Sequence, residues 1–195
     1  MRALLASIVA VVVLTAVLGF GYPALMTGIS AVAFHDQATG SLIERDGRVV
    51  GSTLAAQPFA GKQYFHPRPS GTSPAYNASA TTFANLGPTN TDLAKNLRAG
   101  ARAILALERP YTPDLTIGDI PVDAVTTSAS GIDPHISIAN AHLQAPRVAT
   151  ERGISREAVE RLIDQATEGR SLGFLGEPGV NVLALNLALD KETDG

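Results

Sequence analysis

Apolar and polar positions divide this chain into two unequal parts. From Ala3 to Phe34 no charged residue interrupts a run rich in Leu, Val, Ile and Ala. A bilayer core of about 30 Å needs roughly 20 apolar residues at about 1.5 Å each, so the run predicts one membrane helix with length to spare. Pro23 and the glycines at 19, 21 and 28 predict a kink or a frayed outer end. Beyond Phe34 the pattern becomes mixed. Arg45-Asp46-Gly47 is a turn signal, and Val49 to Ala56 reads as a strand. Gly61 to Ser79 reads as an irregular loop, since Pro67 and Pro69 forbid a helix interior or central strand. Pro88 to Leu107 predicts a helix capped by Thr89 or Thr91, with Leu93, Leu97, Ala101, Ile104 and Leu105 on one face and Lys95, Arg98 and Arg102 off it. Ile120 to Thr126 reads as a strand behind a proline. Ser137 caps a helix to about Gln144, and Pro146 opens a second helical piece through Arg152.

Ser155 is the N-cap of a further helix, with Ile154 and Val159 as a hydrophobic staple and Gly169 as the C-terminal cap. In Val180 to Leu189 the leucines 183, 185, 187 and 189 alternate, which predicts a strand, and Asp190 to Gly195 should fray. Strands and helices mix without a βαβ rhythm. The fold class is therefore α+β, with a transmembrane anchor over residues 1–34 and a single small domain over 35–195.

Flanking charge orients the helix. Arg2 and the terminal amine precede it, and the first Lys or Arg after it is Arg45. Positive charge stays cytoplasmic, so the N-terminus is expected inside and the domain outside. Ala31-Val32-Ala33 also resembles a cleavage site, and a secreted binding protein cut at Ala33 is the rival reading. Signal h-regions are about 7–15 residues and this run is about twice that, so an uncleaved anchor is the expectation.

Charge and composition narrow the classes. With Arg2 set aside, 14 basic residues face 18 acidic ones, a net of −4, which gives no electrostatic basis for a nucleic-acid partner. No cysteine is present, which removes disulfides, thiolate nucleophiles and cysteine-ligated zinc. About 160 residues beyond the helix suffice for one core.

Candidate chemistry concentrates between Thr126 and Ser137. Ser128 or Ser130 with Asp133 and His135 suggests a serine hydrolase, an alternative function for an anchored domain. Triad members normally come from separate elements, and no Gly-x-Ser-x-Gly elbow exists here, so a structural turn is expected. His135 and His142 lack the further ligands of a metal site. Gly61-Lys62 fails as a P-loop, because position 56 is Ala and position 63 is Gln. Asn77-Ala78-Ser79 matches the glycosylation pattern. No catalytic or metal-ligating residue is assigned.

Three sets of stretches carry a family resemblance: Tyr64-Phe65-His66-Pro67-Arg68-Pro69-Ser70, the run from Val122 to Ser137, and Gly176-Glu177-Pro178-Gly179-Val180-Asn181-Val182-Leu183. With Gly51-Ser52-Thr53-Leu54, Asn85 to Asn90, Gln144 to Ala149 and Leu185 to Asp190, they extend in order over nearly the whole chain. The sequence resembles the C subunit of the Kdp-type potassium-transporting ATPase. The resemblance implies a bacterial inner-membrane complex whose partners are a potassium-channel-like subunit and a P-type ATPase subunit. It implies a non-catalytic accessory role in assembly, with potassium as the ion of the complex. The family is also described as a catalytic chaperone that raises the pump subunit's affinity for ATP. An outside domain cannot touch cytosolic ATP, and the nearest stretch to the invoked Leu-Ser-Gly-Gly-Gln signature is Ile154-Ser155-Arg156-Glu157-Ala158, which reads as a helix start. The motif residues Asp123, Ser128, Ser130, Gly131, Asp133, Arg147, Asn181 and Asn186 have no assigned role. Ala10, Gly19 and Gly21 are small enough to let the anchor helix pack closely on the channel-like subunit.

Overall fold

In a computed structural model of the chain, residues 1–45, 47–81 and 85–193 are described. The chain folds as two units, Met1–Val50 and Gly51–Gly195. In the first, α1 (Arg2–Leu14), a π-helical stretch (Thr15–Gly21) and α2 (Tyr22–Ala33) run on as one helix. Its 32 residues are long and apolar enough to cross a membrane, and none is buried within the protein. The irregularity expected near Pro23 takes the form of wider turns, with the Tyr22 amide donating to Val17 five residues back. Pro23 has no N–H to offer the preceding turn, and widening that turn lets the helix continue to Ala33. A short helix α3 (His35–Ala38) follows, then β1 (Leu42–Arg45) and β2 (Arg48–Ser52), which pair as a two-stranded sheet. Gly47 turns with φ +71°, in the left-handed region that a turn glycine tolerates. Asp46, part of the expected turn signal, lies outside the described residues. The strand expected over Val49 to Ala56 thus begins one residue earlier, at Arg48, and stops at Ser52.

The second unit begins irregularly and then builds α4 (Thr91–Glu108), a 3-10 turn (Ile117–Asp119) and α5 (Val122–Val125). Next come β3 (His135–Ile136), α6 (Ile138–Arg152), α7 (Arg156–Gln165), β4 (Thr167–Glu168), β5 (Gly179–Asn181) and α8 (Val182–Thr193). The three short strands form an antiparallel sheet ordered β3-β5-β4, with His135 opposite Asn181 and Glu168 opposite Gly179. The core lies between this sheet and α6, α7 and α8, with Phe65, Val148, Ile163, Val180 and Leu185 wholly buried.

The architecture is α+β, as expected, but further local readings change. The tail expected to fray from Asp190 is helical to Thr193, where Arg152 donates to Asp190 and Thr193; Asp194 and Gly195 lie outside the described residues. The predicted strand Ile120–Thr126 is the short helix α5: only Ala124 is buried and Val122 points to solvent, so no alternating apolar face exists to stabilise a strand. The predicted strand Val180–Leu189 is β5 for two residues and helix thereafter. Asn181 accepts from the Ala184 amide, capping α8, and Val182, Leu185, Asn186 and Leu189 form a buried face at helical spacing. Ser137 caps α6 as expected, but α6 passes through Pro146 as one helix to Gly153, which takes the left-handed cap at φ 66°. Buried Ala141, Ala145, Val148 and Ala149 pack that helix into the core, which outweighs the single bond Pro146 removes. Asn90, rather than Thr89 or Thr91, caps α4 by accepting from the Asp92 amide. Finally, α7 ends at Ala166, short of Gly169, because the chain enters β4 at once. Ser155 caps α7, and Ile154 packs against the core that holds Val159, the two positions of the predicted staple.

Candidate functional site

A cleft of 390 Å³ opens beside the three-stranded sheet. Each of three motif stretches from the sequence contributes to it. Arg68 comes from the irregular segment, Asp123, Asp133 and His135 from the stretch between α5 and β3, and Glu177 and Gly179 from the approach to β5. Glu168 on β4 completes the polar lining. Cross-strand pairing explains how His135 enters. It stands diagonally across from Gly179, where an added Cβ would come within 3.2 Å of the His135 Cβ. The missing side chain lets the imidazole lie over β5 toward β4, where its Nε2 is 3.2 Å from Glu168 Oε2.

Arg68 fixes the opposite wall. Its guanidinium donates to Asp133 Oδ2 at 3.0 Å and, more loosely, to Thr126 Oγ1 and the Thr127 carbonyl. Asp133 also accepts from the His135 amide, and Ser128 Oγ accepts from the Asp133 amide. Ser70 donates to the Gly131 carbonyl, and Gly131 sits at φ 73°, where a side chain would be strained. Ser130 accepts from the Ile132 amide. The Ser128–His135 cluster is thus a laced turn: Ser128 is buried and bonded to backbone, and the His135 Nε2 lies 3.2 Å from Glu168 Oε2 with no hydrogen-bond partner, a serine included, among the described residues. Asp123 has a different duty. It accepts from the Ser137 amide, the Ser137 hydroxyl and the Asn140 side chain, so its charge sits on the N-terminus of α6, where the helix dipole favours an anion.

Four carboxylates (Asp123, Asp133, Glu168 and Glu177) line the cleft against one guanidinium, Arg68. Glu177 leans on Arg170 outside it at 2.7 Å. The cleft's field is therefore negative, although at physiological salt it extends only about 8 Å. His142 stands exposed on α6, away from any such grouping. Among the described residues no group of three or more His, Cys, Asp or Glu side chains is arranged to hold a metal.

Behind the cleft lies a polar stripe in which the sequence motifs singled out Arg147, Asn181 and Asn186, and Gln144 only as part of a stretch. Asn140, Gln144 and Arg147 recur on one buried face of α6. Arg147, with no exposed surface, donates from Nε to Glu108 at 2.9 Å, from Nη1 to the carbonyls of Lys62 and Tyr64, and from Nη2 to Gln144. Gln144 pairs with both the amide and the carbonyl of His66, and Asn186 does the same for Phe65. Side chains thus replace the strand that would otherwise satisfy this buried irregular backbone. Burial raises the Glu108 carboxyl above its ordinary range, with Arg147 opposing the shift. Burial, reinforced by Arg147, lowers the His66 imidazole below its ordinary value. Asn181 donates to the Thr53 carbonyl while capping α8, and so ties the start of this unit to its end. The available signal for Gln144 and Asn140 was their spacing: polar residues at the period of an otherwise small, apolar helix face.

The family described as KdpC, K+-transporting ATPase, c chain, matches residues 4–191. The chain belongs to the KdpC family. A relative in Sorangium cellulosum, called the potassium-transporting ATPase KdpC subunit, is 52% identical over 185 residues, covering 94% of this chain and 95% of its own. Relatives of the same description in Mycobacterium tuberculosis and Koribacter versatilis are 50% and 46% identical, covering 97% and 96% of this chain and 98% and 93% of their own. The KdpC match spans both the long apolar helix and the folded unit with its cleft, so the family pattern includes the two together.

Proposed function

We propose that the protein is the accessory C subunit of an ATP-driven potassium uptake complex. The match to the KdpC family over residues 4–191 carries this reading, because it takes in the apolar helix and the folded unit alike. The helix from Arg2 to Ala33 anchors the chain by a single span, with the N-terminus cytoplasmic and the folded unit outside. Ala10, Gly19 and Gly21, all exposed on that helix, let it approach the channel-like subunit closely. The folded unit performs no chemistry of its own. It joins the channel-like and ATPase subunits, stabilises their assembly, and sets its negative cleft near the potassium entrance. An outside position leaves no route to cytosolic ATP, so any effect on the pump's ATP affinity acts through assembly.

Topology is the decisive test. The chain has no cysteine, so single cysteines at Ser79 and Thr193 give no background. Labelling in intact cells by a membrane-impermeant thiol reagent is the expected result. Labelling only after lysis would reverse the orientation and favour direct nucleotide contact. A complex assembled and transporting fully without this chain would refute the assembly role.

A further inference from the structure

A second recess of the folded unit is of the opposite character. It is a groove of 490 Å³ between α4, the 3-10 turn and α5. Leu97, Ala101, Ile120 and Val125 form its floor. At its rim Ile117 and Val122 are 65% and 74% exposed, which the packing of this unit does not require. Among the described residues its charged lining is Arg98 and Arg102, one turn apart on α4 and both exposed. Neither forms an ion pair among the described residues. Lys95 continues the basic edge one turn earlier. The nearby carboxylates are engaged elsewhere. Asp119 accepts from the amide and hydroxyl of Thr116, and Asp123 caps α6. A chain with net charge −3 thus carries a basic edge beside an exposed apolar groove.

We propose that this groove is the face by which the folded unit rests on an anionic lipid bilayer. This contact rests on the proposed reading of Arg2–Ala33 as a membrane span. Residues 34–50, seventeen in all, separate that helix from Gly51, so the bilayer is never more than about 60 Å from the start of the folded unit. Lipid phosphates complement Arg98 and Arg102, while the aliphatic rim enters the boundary between headgroups and acyl chains. Paired basic and apolar contacts of this kind are how surfaces hold to membranes. The anchor itself supplies the bilayer, and with it both the phosphate that suits Arg98 and Arg102 and the acyl boundary that suits Ile117 and Val122.

The test uses the full chain reconstituted into vesicles of phosphatidylcholine, alone or with about one third phosphatidylglycerol. A polarity-sensitive fluorophore is placed on Val122→Cys, or on Leu14→Cys as a helix control, and lipid-borne quenchers report depth. Quenching of the Val122 probe should be at least about twofold stronger in the anionic vesicles and should fall as salt rises. The R98E/R102E pair should abolish that gain with the circular dichroism unchanged. A quenched Leu14 probe with a Val122 probe indifferent to lipid charge overturns the proposal and leaves the anchor standing. An unquenched Leu14 probe overturns both. A Val122 probe that is shielded only when the other subunits are present also overturns it, in favour of a protein contact.

Discussion

Replacing Arg147 with Met tests the view that buried side chains hold the irregular segment in place. The substitution keeps most of the aliphatic stem and removes the guanidinium. Glu108, 1% exposed, then loses its only partner, since its Oε2 has none among the described residues. The carbonyls of Lys62 and Tyr64 lose the donor that reaches them. Removing one partner of a buried ion pair costs about 3–5 kcal/mol. A stranded buried carbonyl adds about 1–3 kcal/mol where water cannot reach it. Allowing for water entering the vacated space, we expect a loss of about 4–6 kcal/mol, a large share of the roughly 5–15 kcal/mol that stabilises an ordinary domain. For a unit of this size that is a fall in Tm of about 12–20 °C. The reverse change is milder. Glu108→Gln keeps an acceptor for Arg147 Nε, and the guanidinium keeps Gln144 and two carbonyls, so about 1–2 kcal/mol is expected. Combining Glu108→Met with Arg147→Met should recover about 2–3 kcal/mol relative to Arg147→Met alone, because no buried charge is then left unpaired. Urea and thermal unfolding of the full chain in detergent micelles, followed by far-ultraviolet circular dichroism, measures all three. A loss below about 1 kcal/mol for Arg147→Met, or a double variant no more stable than that single one, would refute the reasoning.

Three further outcomes follow from the same geometry. Asn186→Leu preserves volume but strands the Phe65 amide and carbonyl, so a loss of about 2–4 kcal/mol and faster hydrogen exchange at Phe65 are expected; unchanged exchange would show that the backbone finds other partners. Gly179→Ala puts a Cβ at 3.2 Å from His135 Cβ, and should move the imidazole off Glu168 for about 1–2 kcal/mol, seen as a shift of the His135 ring resonances without global unfolding. His66 has a folded-state pKa held below 6.5 by burial and by Arg147, so the unfolded chain binds the proton more readily. Its contribution is therefore intact above about pH 6.5 and is lost as pH falls from there through the folded value, with a slope of at most about 1.4 kcal/mol per pH unit. In His66→Gln that part of the pH dependence should disappear, and an unchanged profile would assign it to another group.

Some of this was legible without coordinates, for physical reasons visible in particular residues. The caps at Ser137 and Ser155 act through the next three amides, and the staple between Ile154 and Val159 spans one turn, so both were readable locally. The long apolar helix needs nothing but its own composition. Leucine alternation at 183–189 misled, because a period of two and a period of 3.6 share positions over so short a run. The deciding residue was Asn181, whose side chain caps a helix as readily as it sits in a strand. Val122 and Val125 likewise have the β-branched chemistry of a strand, but a proline before them and a capping duty at Asp123 set the backbone otherwise.

The sequence by itself determined the long apolar helix, the α+β class, the helix starts at Ser137 and Ser155, and the family, since each depends on composition, on neighbours within a turn or on ordered motifs. Only the tertiary structure decided that Arg68, Asp133, His135 and Glu168 share one cleft, that Arg147 lies sealed against Glu108, and that Arg98 and Arg102 border an open apolar groove. Arg68 and Asp133 stand 65 residues apart, and Phe65 and Asn186 stand 121 apart. At such separations no local rule of spacing applies. Which polar side chain meets which backbone group is settled by how helices and strands pack, because a buried donor or acceptor must find its partner wherever the fold brings one.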